Sequence, residues 1–182
     1  MKKIDQIDDH PMPDLTQPGD PPIAIARYTE QDLGAVAELI VAIQTEEFAI
    51  PITLDDQPDL LDIPGFYQVG SGNFWVARQG QHVIGTIGLR EFAPGSAALR
   101  KMFAAKSHRG KSGVAAKLLE TLLESARQSG LRQIILGTTA AFEAAHRFYE
   151  KHGFDRIAES DLPAQFPRMA VDTRFYALEL RP

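Results

Sequence analysis

The sequence predicts a mixed α/β domain, and three observations carry that expectation. Short apolar runs with strand-like alternation recur at Ile23–Tyr28, Phe74–Ala77, His82–Arg90 and Ala97–Ala104. One longer segment places Val114, Leu118 and Leu122 beside Ala115, Leu119, Leu123 and Ala126 on a single helical stripe, stopped by Gly130. A continuous apolar run, Ile134-Ile135-Leu136, then follows, as in a strand covered on both faces.

Residues 1–22 read as a mobile arm. Pro11, Pro13, Pro18, Pro21 and Pro22 remove backbone donors, while Asp5, Asp8, Asp9, Asp14 and Asp20 repel one another over too little apolar surface to order them. The folded domain is expected over 23–182. Its first strand, Ile23–Tyr28, meets Thr29, which reads as an N-cap with Asp32 three residues on. Leu33, Val36, Ala37, Ile40 and Val41 continue at helical spacing. Phe48–Gly72, with Pro51, Pro58 and Pro64, reads as loop with room for one short helix. Gln79-Gly80 and Pro94-Gly95 mark two turns between strands. After the long helix come a strand over Leu131–Gly137, a shorter helix over Ala141–Lys151 ending at His152-Gly153, and strands over Phe154–Ala158 and Val171–Leu180. The order β-α-loop-β-β-β-α-β-α-β-β is not that of a doubly wound Rossmann sheet, and no internal repeat is present.

Composition narrows the function classes. The 182 residues carry 19 Lys and Arg against 24 Asp and Glu, a net charge of −5, which argues against a nucleic-acid backbone binder. With no cysteine there are no disulfides, thiol nucleophiles or Cys-based zinc sites, and a reducing, cytoplasmic setting is expected. No apolar run approaches the roughly 20 residues that cross a bilayer. The start Met1-Lys2-Lys3-Ile4-Asp5 lacks the apolar stretch of a secretory signal. His10, His82, His108, His146 and His152 form no His-x-x-x-His pair, so no metal is expected.

The segment Lys106–Gly113, between a strand and the long helix, is the first sign of chemistry. A glycine-bearing turn entering a helix offers unpaired N–H groups and the positive end of the dipole, worth about 0.3–1 kcal/mol per charge. Arg109 and Lys111 add cations there, so a phosphate or pyrophosphate is the expected guest. Gly110-Lys111-Ser112 also admits a P-loop reading, but the glycine that motif needs five positions earlier is Ala105.

Two segments are similar to the GNAT acetyltransferase superfamily. Met102-Phe103-Ala104 followed by Arg109-Gly110-Lys111-Ser112-Gly113-Val114-Ala115 resembles its strand and Q/R-x-x-G-x-G/A loop, and Ala145–Phe154 resembles its A-x-x-x-Y-E-K-x-G-F segment. The resemblance extends over Ile23–Leu180 and implies a mostly antiparallel sheet splayed at its centre, with flanking helices. It implies acetyl-CoA as co-substrate, with the pantetheine arm on the main chain of Met102, Phe103 and Ala104 and the pyrophosphate on the turn through Ala115. Two departures stand out: the turn is one residue longer than the pattern, and Phe142 replaces a frequent Asn, with His146 or Thr138 as candidate substitutes.

The implied reaction moves acetyl to an amine of a small molecule, peptide or protein by direct attack. A lysine-like amine with pKa near 10.4 needs about 4–5 kcal/mol to be neutral at pH 7, so a base or a dry pocket is expected. Glu91 is the candidate base, with Glu46 and Glu47 as rivals. Tyr149 is the candidate acid for the departing thiolate, and backbone N–H groups would meet the oxyanion. Glu46, Glu47 and Phe48 are the candidate acceptor residues, and the cluster Glu46, Glu47, Asp55, Asp56, Asp59 and Asp62 points to an electropositive small amine or a basic peptide terminus. A monomer or homodimer is expected. An acetyl-CoA sensor or scaffold without catalysis, or a P-loop enzyme, remains the alternative.

Overall fold

The alternation within Asn73–Gln79 (β2) sets the layering. Successive strand side chains point to opposite faces, and Phe74, Trp75, Val76 and Ala77 are all buried. Phe74 and Val76 join Tyr28, Val36, Ile40 and Tyr67 in one core, while Trp75 and Ala77 join Leu118, Leu119 and Leu122 in the other. The sheet is therefore covered on both faces. These statements rest on a computed structural model that describes residues 21–110 and 113–180; most of the arm assigned to residues 1–22 lies outside them.

The other strands are β1 (Ile23–Arg27), β3 (His82–Ala93), β4 (Ser96–Ala104), β5 (Gln133–Thr138), β6 (Asp155–Ile157) and β7 (Arg174–Glu179). They form one seven-stranded sheet in the order β1-β2-β3-β4-β5-β7-β6. Every pairing is antiparallel except β4 with β5, which run parallel and pair only over Ser96–Ala98 and Gln133–Ile135. Beyond Ala98 and Ile135 the two strands part. This is the central splay that the resemblance implies.

The helices are α1 (Leu33–Ala42), α2 (Pro58–Leu61), α3 (Ile63–Tyr67), α4 (Val114–Gln128) and α5 (Glu143–Lys151). Thr29 caps the turn into α1 as expected: the Asp32 carboxylate accepts its N–H at 2.9 Å and also pairs with Arg78. The α4 stripe is buried at Val114, Leu118, Leu119, Leu122 and Ala126. Phe48–Gly72 holds two short helices rather than one, because Pro58 and Pro64 each sit in a first turn, where a missing N–H costs nothing. The last strand begins at Arg174 rather than Val171. Residues before it close a turn, in which Met169 N–H donates to Asp172 Oδ2 at 2.9 Å and Asp172 N–H to the Met169 carbonyl at 3.1 Å, taking them out of the ladder.

A bulge in β4 prepares the site. Thr86 faces Phe103 and Gly88 faces Arg100, so Lys101 and Met102 lie opposite Ile87 alone. Lys101 takes the left-handed φ of 50°, at a cost of about 1–2 kcal/mol for a side chain with a Cβ. The kink carries its ammonium to a buried cluster, 3.3 Å from Asp59 Oδ1 and 2.6 Å from Gln57 Oε1. Tyr67 Oη donates to the other Asp59 oxygen at 2.6 Å, and Gln57 Nε2 donates to Gln44 Oε1 at 2.9 Å. Burial lowers the Lys101 pKa, and Asp59 opposes that shift.

Candidate active site

Where β4 and β5 part, a cleft of about 300 Å³ opens, at the lower end of small-molecule sites. Its walls are Leu99–Phe103 of β4, Gly137–Thr139 at the end of β5, Phe142, Ala145 and Tyr149 around α5, the Phe48–Ile52 turn and the Phe166–Asp172 segment. Past Ala98 the β4 edge toward β5 has no strand partner, so its main-chain groups are open to a ligand. A larger hollow, about 560 Å³, lies across the sheet edge at Arg127, Gln133, Gly153 and Asp155, and none of the predicted site residues lines it.

Tyr149 enters the cleft from the middle of α5. Its ring is held among Phe154, Phe148 and Tyr176 at centroid distances of 5.6, 5.7 and 6.1 Å. Its hydroxyl has no hydrogen-bond partner among the described residues, although the side chain is only 6% exposed. Burial pushes the phenol pKa well above its ordinary value, so the group stays protonated at neutral pH.

The glycine turn lies beyond the end of β4. Gly110 and Gly113 have φ of 74° and 68°, and a Cβ on either would meet nothing within 4 Å. The left-handed conformation is what demands glycine there. The first α4 bond runs from Lys117 N–H to the Gly113 carbonyl at 2.9 Å, leaving the amides of Val114, Ala115 and Ala116 without an intrahelical acceptor. Val114 is fully buried, main chain included, whereas Ala115 and Ala116 are partly exposed. Lys111 and Ser112 lie outside the described residues.

The sequence model of the acetyltransferase (GNAT) family matches residues 37–154, well over half of the chain. This chain belongs to the GNAT acetyltransferase family. A GNAT-family acetyltransferase from Staphylococcus aureus Mu50 superposes with a TM-score of 0.83 at 38% identity, covering 87% of this chain and 99% of that one. A Salmonella typhimurium protein solved with its cofactor acetyl-CoA shares the fold at a TM-score of 0.68 and 20% identity, covering 88% and 95% of the two chains. N-acetylaspartate synthetase of Danio rerio is 34% identical over 105 residues, 57% of this chain and 37% of that protein. The chain thus spans well under two thirds of the length of that curated relative. The P-loop alternative falls away.

Within this GNAT domain, several predicted residues sit elsewhere than expected. Glu91 does not reach the cleft: its Oε2 accepts the Ser71 N–H at 3.2 Å, so the carboxylate pins the turn before β2. Glu47 grips Arg109 in a two-pronged pair at 2.6 and 3.0 Å, and Arg109 Nε donates to the Ala104 carbonyl at 2.8 Å. Both partners are therefore engaged with each other, and the pair ties the glycine turn to the segment that follows α1. Glu46 is exposed and lines no part of the cleft. Phe48 does line it, edge-on to Phe142 with centroids 4.4 Å apart, so the Phe that replaces the family's Asn closes one wall by packing.

Of the two proposed substitutes for that Asn, the His146 ring is engaged, while Thr138 lines the cleft. His146 Nε2 donates to the Thr139 carbonyl at 2.9 Å, while Nδ1 accepts from Arg174 at 3.0 Å, which fixes the tautomer. Thr138 is buried, and its carbonyl accepts from Thr173 N–H at 2.9 Å.

Arg100, Lys101 and Asp172 line the cleft of the GNAT domain, although no motif or spacing singles them out. Asp172 lies directly over Gly137, where an added Cβ would come within 2.4 Å of Asp172 Oδ2 and 2.5 Å of its Cγ. Gly137→Ala is therefore expected to drive the carboxylate and its turn away from β5, destabilising the fold by about 1–3 kcal/mol. Urea unfolding checks this: an unchanged midpoint would mean the turn yields freely.

Proposed function

We propose that this GNAT domain transfers the acetyl group of acetyl-CoA directly to the amine of an acceptor, with Tyr149 as the acid. The observation that carries the reading is a protonated phenol, unpartnered among the described residues, in the gap between two strands whose facing edges are open there. The fit to acetyl-CoA rests on the same features. The main chain of Met102, Phe103 and Ala104 would pair with the amides of the pantetheine arm. The turn Arg109–Ala115, through its amides and the α4 dipole, would hold the pyrophosphate. The Arg109 side chain joins only if it releases Glu47.

When bound, acetyl-CoA supplies a thioester whose carbonyl carbon bonds to the acceptor nitrogen as its bond to sulfur breaks. Tyr149 holds a proton at Oη for the departing sulfur and regains one as the nitrogen sheds its own. Burial in an aromatic cage keeps that hydrogen bond free of competing water. Glu91 is not retained as a base, since its carboxylate is turned to Ser71. A relative named N-acetylaspartate synthetase and a structural neighbour solved with acetyl-CoA support this reading.

Calorimetry with acetyl-CoA in the presence of a chelator, followed by an amine panel read by free-thiol release, tests the proposal. Binding together with amine-dependent thiol release is expected. Binding without release on any amine would instead make the chain a sensor or scaffold, and absence of binding would end the reading altogether.

A further inference from the structure

Besides Tyr149, the titratable side chains lining the cleft among the described residues are Arg100, Lys101 and Asp172. Lys101 is already committed to Asp59 and Gln57. One cation and one anion are left.

Arg100 is half-buried, and no carboxylate pairs with it among the described residues. Its guanidinium donates to Met169 Sδ at 3.0 Å, a weak acceptor, and lies 5.5 Å from the centre of the Phe66 ring. Four of its five N–H groups therefore remain for a ligand. Asp172 uses Oδ2 for the Met169 N–H, and its Oδ1 meets no protein donor among the described residues. The two groups share an electrostatic field yet form no ion pair with each other.

Their place along the cleft matters. The glycine turn follows the end of β4, so the phosphates belong at that end. Arg100 lies four residues back from Ala104 and two beyond the last β4–β5 pair, at the end where the acetyl group and its acceptor meet. The walls around it, Ile50, Ile52, Phe166, Met169 and Val171, are apolar.

Four of the six acidic residues that point to an electropositive acceptor have other tasks. Glu47 holds Arg109 and Asp59 holds Lys101. Asp56 accepts from Thr53, and Asp62 caps α3 by accepting from Gly65 N–H.

We propose that the acceptor is a free α-amino acid with an apolar side chain, its carboxylate taken by the Arg100 fork and its ammonium by Asp172 Oδ1. This assignment rests on the acetyl-transfer reading above and names its substrate class. A zwitterion satisfies both open charges at once, and the apolar walls take the side chain. Arg is suited to the carboxylate because its planar donors match two oxygens. Asp172 holds the amine over Gly137, at the point where β5 leaves β4, and its carboxylate takes the one proton that the ammonium sheds before its nitrogen attacks.

The test compares kcat/KM, by thiol release, for L-leucine and L-methionine with their carboxamides, 1,4-diaminobutane and L-aspartate. The apolar amino acids are expected to exceed their amides by about 10–100-fold, the usual worth of a charge-assisted hydrogen bond. Arg100→Met should erase that ratio, with the acetyl-CoA Kd from calorimetry unchanged, and Arg100→Lys should keep part of it. Asp172→Asn should raise KM for acids and amides alike, since both carry the ammonium. Equal rates for acid and amide, a preference for the diamine or for aspartate, or an equal loss on both in Arg100→Met would overturn the assignment while leaving acetyl transfer intact. Acetyl-CoA binding with no thiol release on any of these amines would remove both.

Discussion

Tyr149→Phe is expected to lower kcat by about 10²–10⁴-fold, the range of a positioned acid, while acetyl-CoA binding holds within a few-fold. The substitution removes one oxygen atom and nothing else. The ring stays packed among Phe148, Phe154 and Tyr176, and no protein group loses a hydrogen bond, since the hydroxyl has none among the described residues. Stability should therefore barely move, which separates a chemical role from a structural one. The pH profile adds a second readout. Burial holds the phenol protonated beyond the ordinary tyrosine range near 10, so the kcat of the native protein should show no falling limb from this group between about pH 7 and 10. A thiol has a pKa near 8.5, below that of the phenol, so the proton moves to sulfur only as the nitrogen returns one. Full activity in Tyr149→Phe would take the acid role away from this residue. A parallel collapse of acetyl-CoA binding would make the tyrosine a wall of the cleft and no more.

The contrast between Tyr149 and Glu91 shows what the chain discloses on its own. Tyr149 lies in a run, Ala145–Phe154, whose local pattern is that of one helix ending at a glycine, and helix α5 carries it to the cleft as the resemblance implies. Period and punctuation likewise disclosed α4, the β2–β3 hairpin and the glycine turn, because each is set by neighbours in sequence. The sequence puts Glu91 just past the strand it predicts over His82–Arg90, but β3 runs through it to Ala93, and where its carboxylate points depends on what packs over it, here the Gly70-Ser71 turn. The same limit hid Arg100 and Asp172. A single arginine in a strand carries no signal. Asp172 falls in the strand that the sequence predicts over Val171–Leu180, and only its contact with Gly137, thirty-five residues earlier in the chain, brings it over the splay. The bulge at Lys101 is also silent: the left-handed lysine meets Gln57 and Asp59 at the start of α2, a tertiary fact.

That lysine carries the second large effect. Asp59→Ala is expected to cost about 3–5 kcal/mol, because it strands a buried ammonium and takes the acceptor from Tyr67 in one step. Against a total stability of about 5–15 kcal/mol, this is enough to leave a visible unfolded fraction. The deficit should depend on pH with a definite sign. Burial lowers the Lys101 pKa in the folded chain, and without Asp59 nothing comparable raises it again. The unfolded chain, with a lysine near 10.4, then binds the proton more tightly, so stability rises with pH between the two values. Urea midpoints of Asp59→Ala should accordingly lie closer to the native midpoint at pH 9 than at pH 7. Adding Lys101→Met to Asp59→Ala should recover at least half of the loss at pH 7, since removing both charges leaves no buried ion to desolvate. If the double variant is as unstable as the single one and the deficit ignores pH, the stranded charge is not the cause, and the lost Tyr67 hydrogen bond and the cavity beside it must carry the effect.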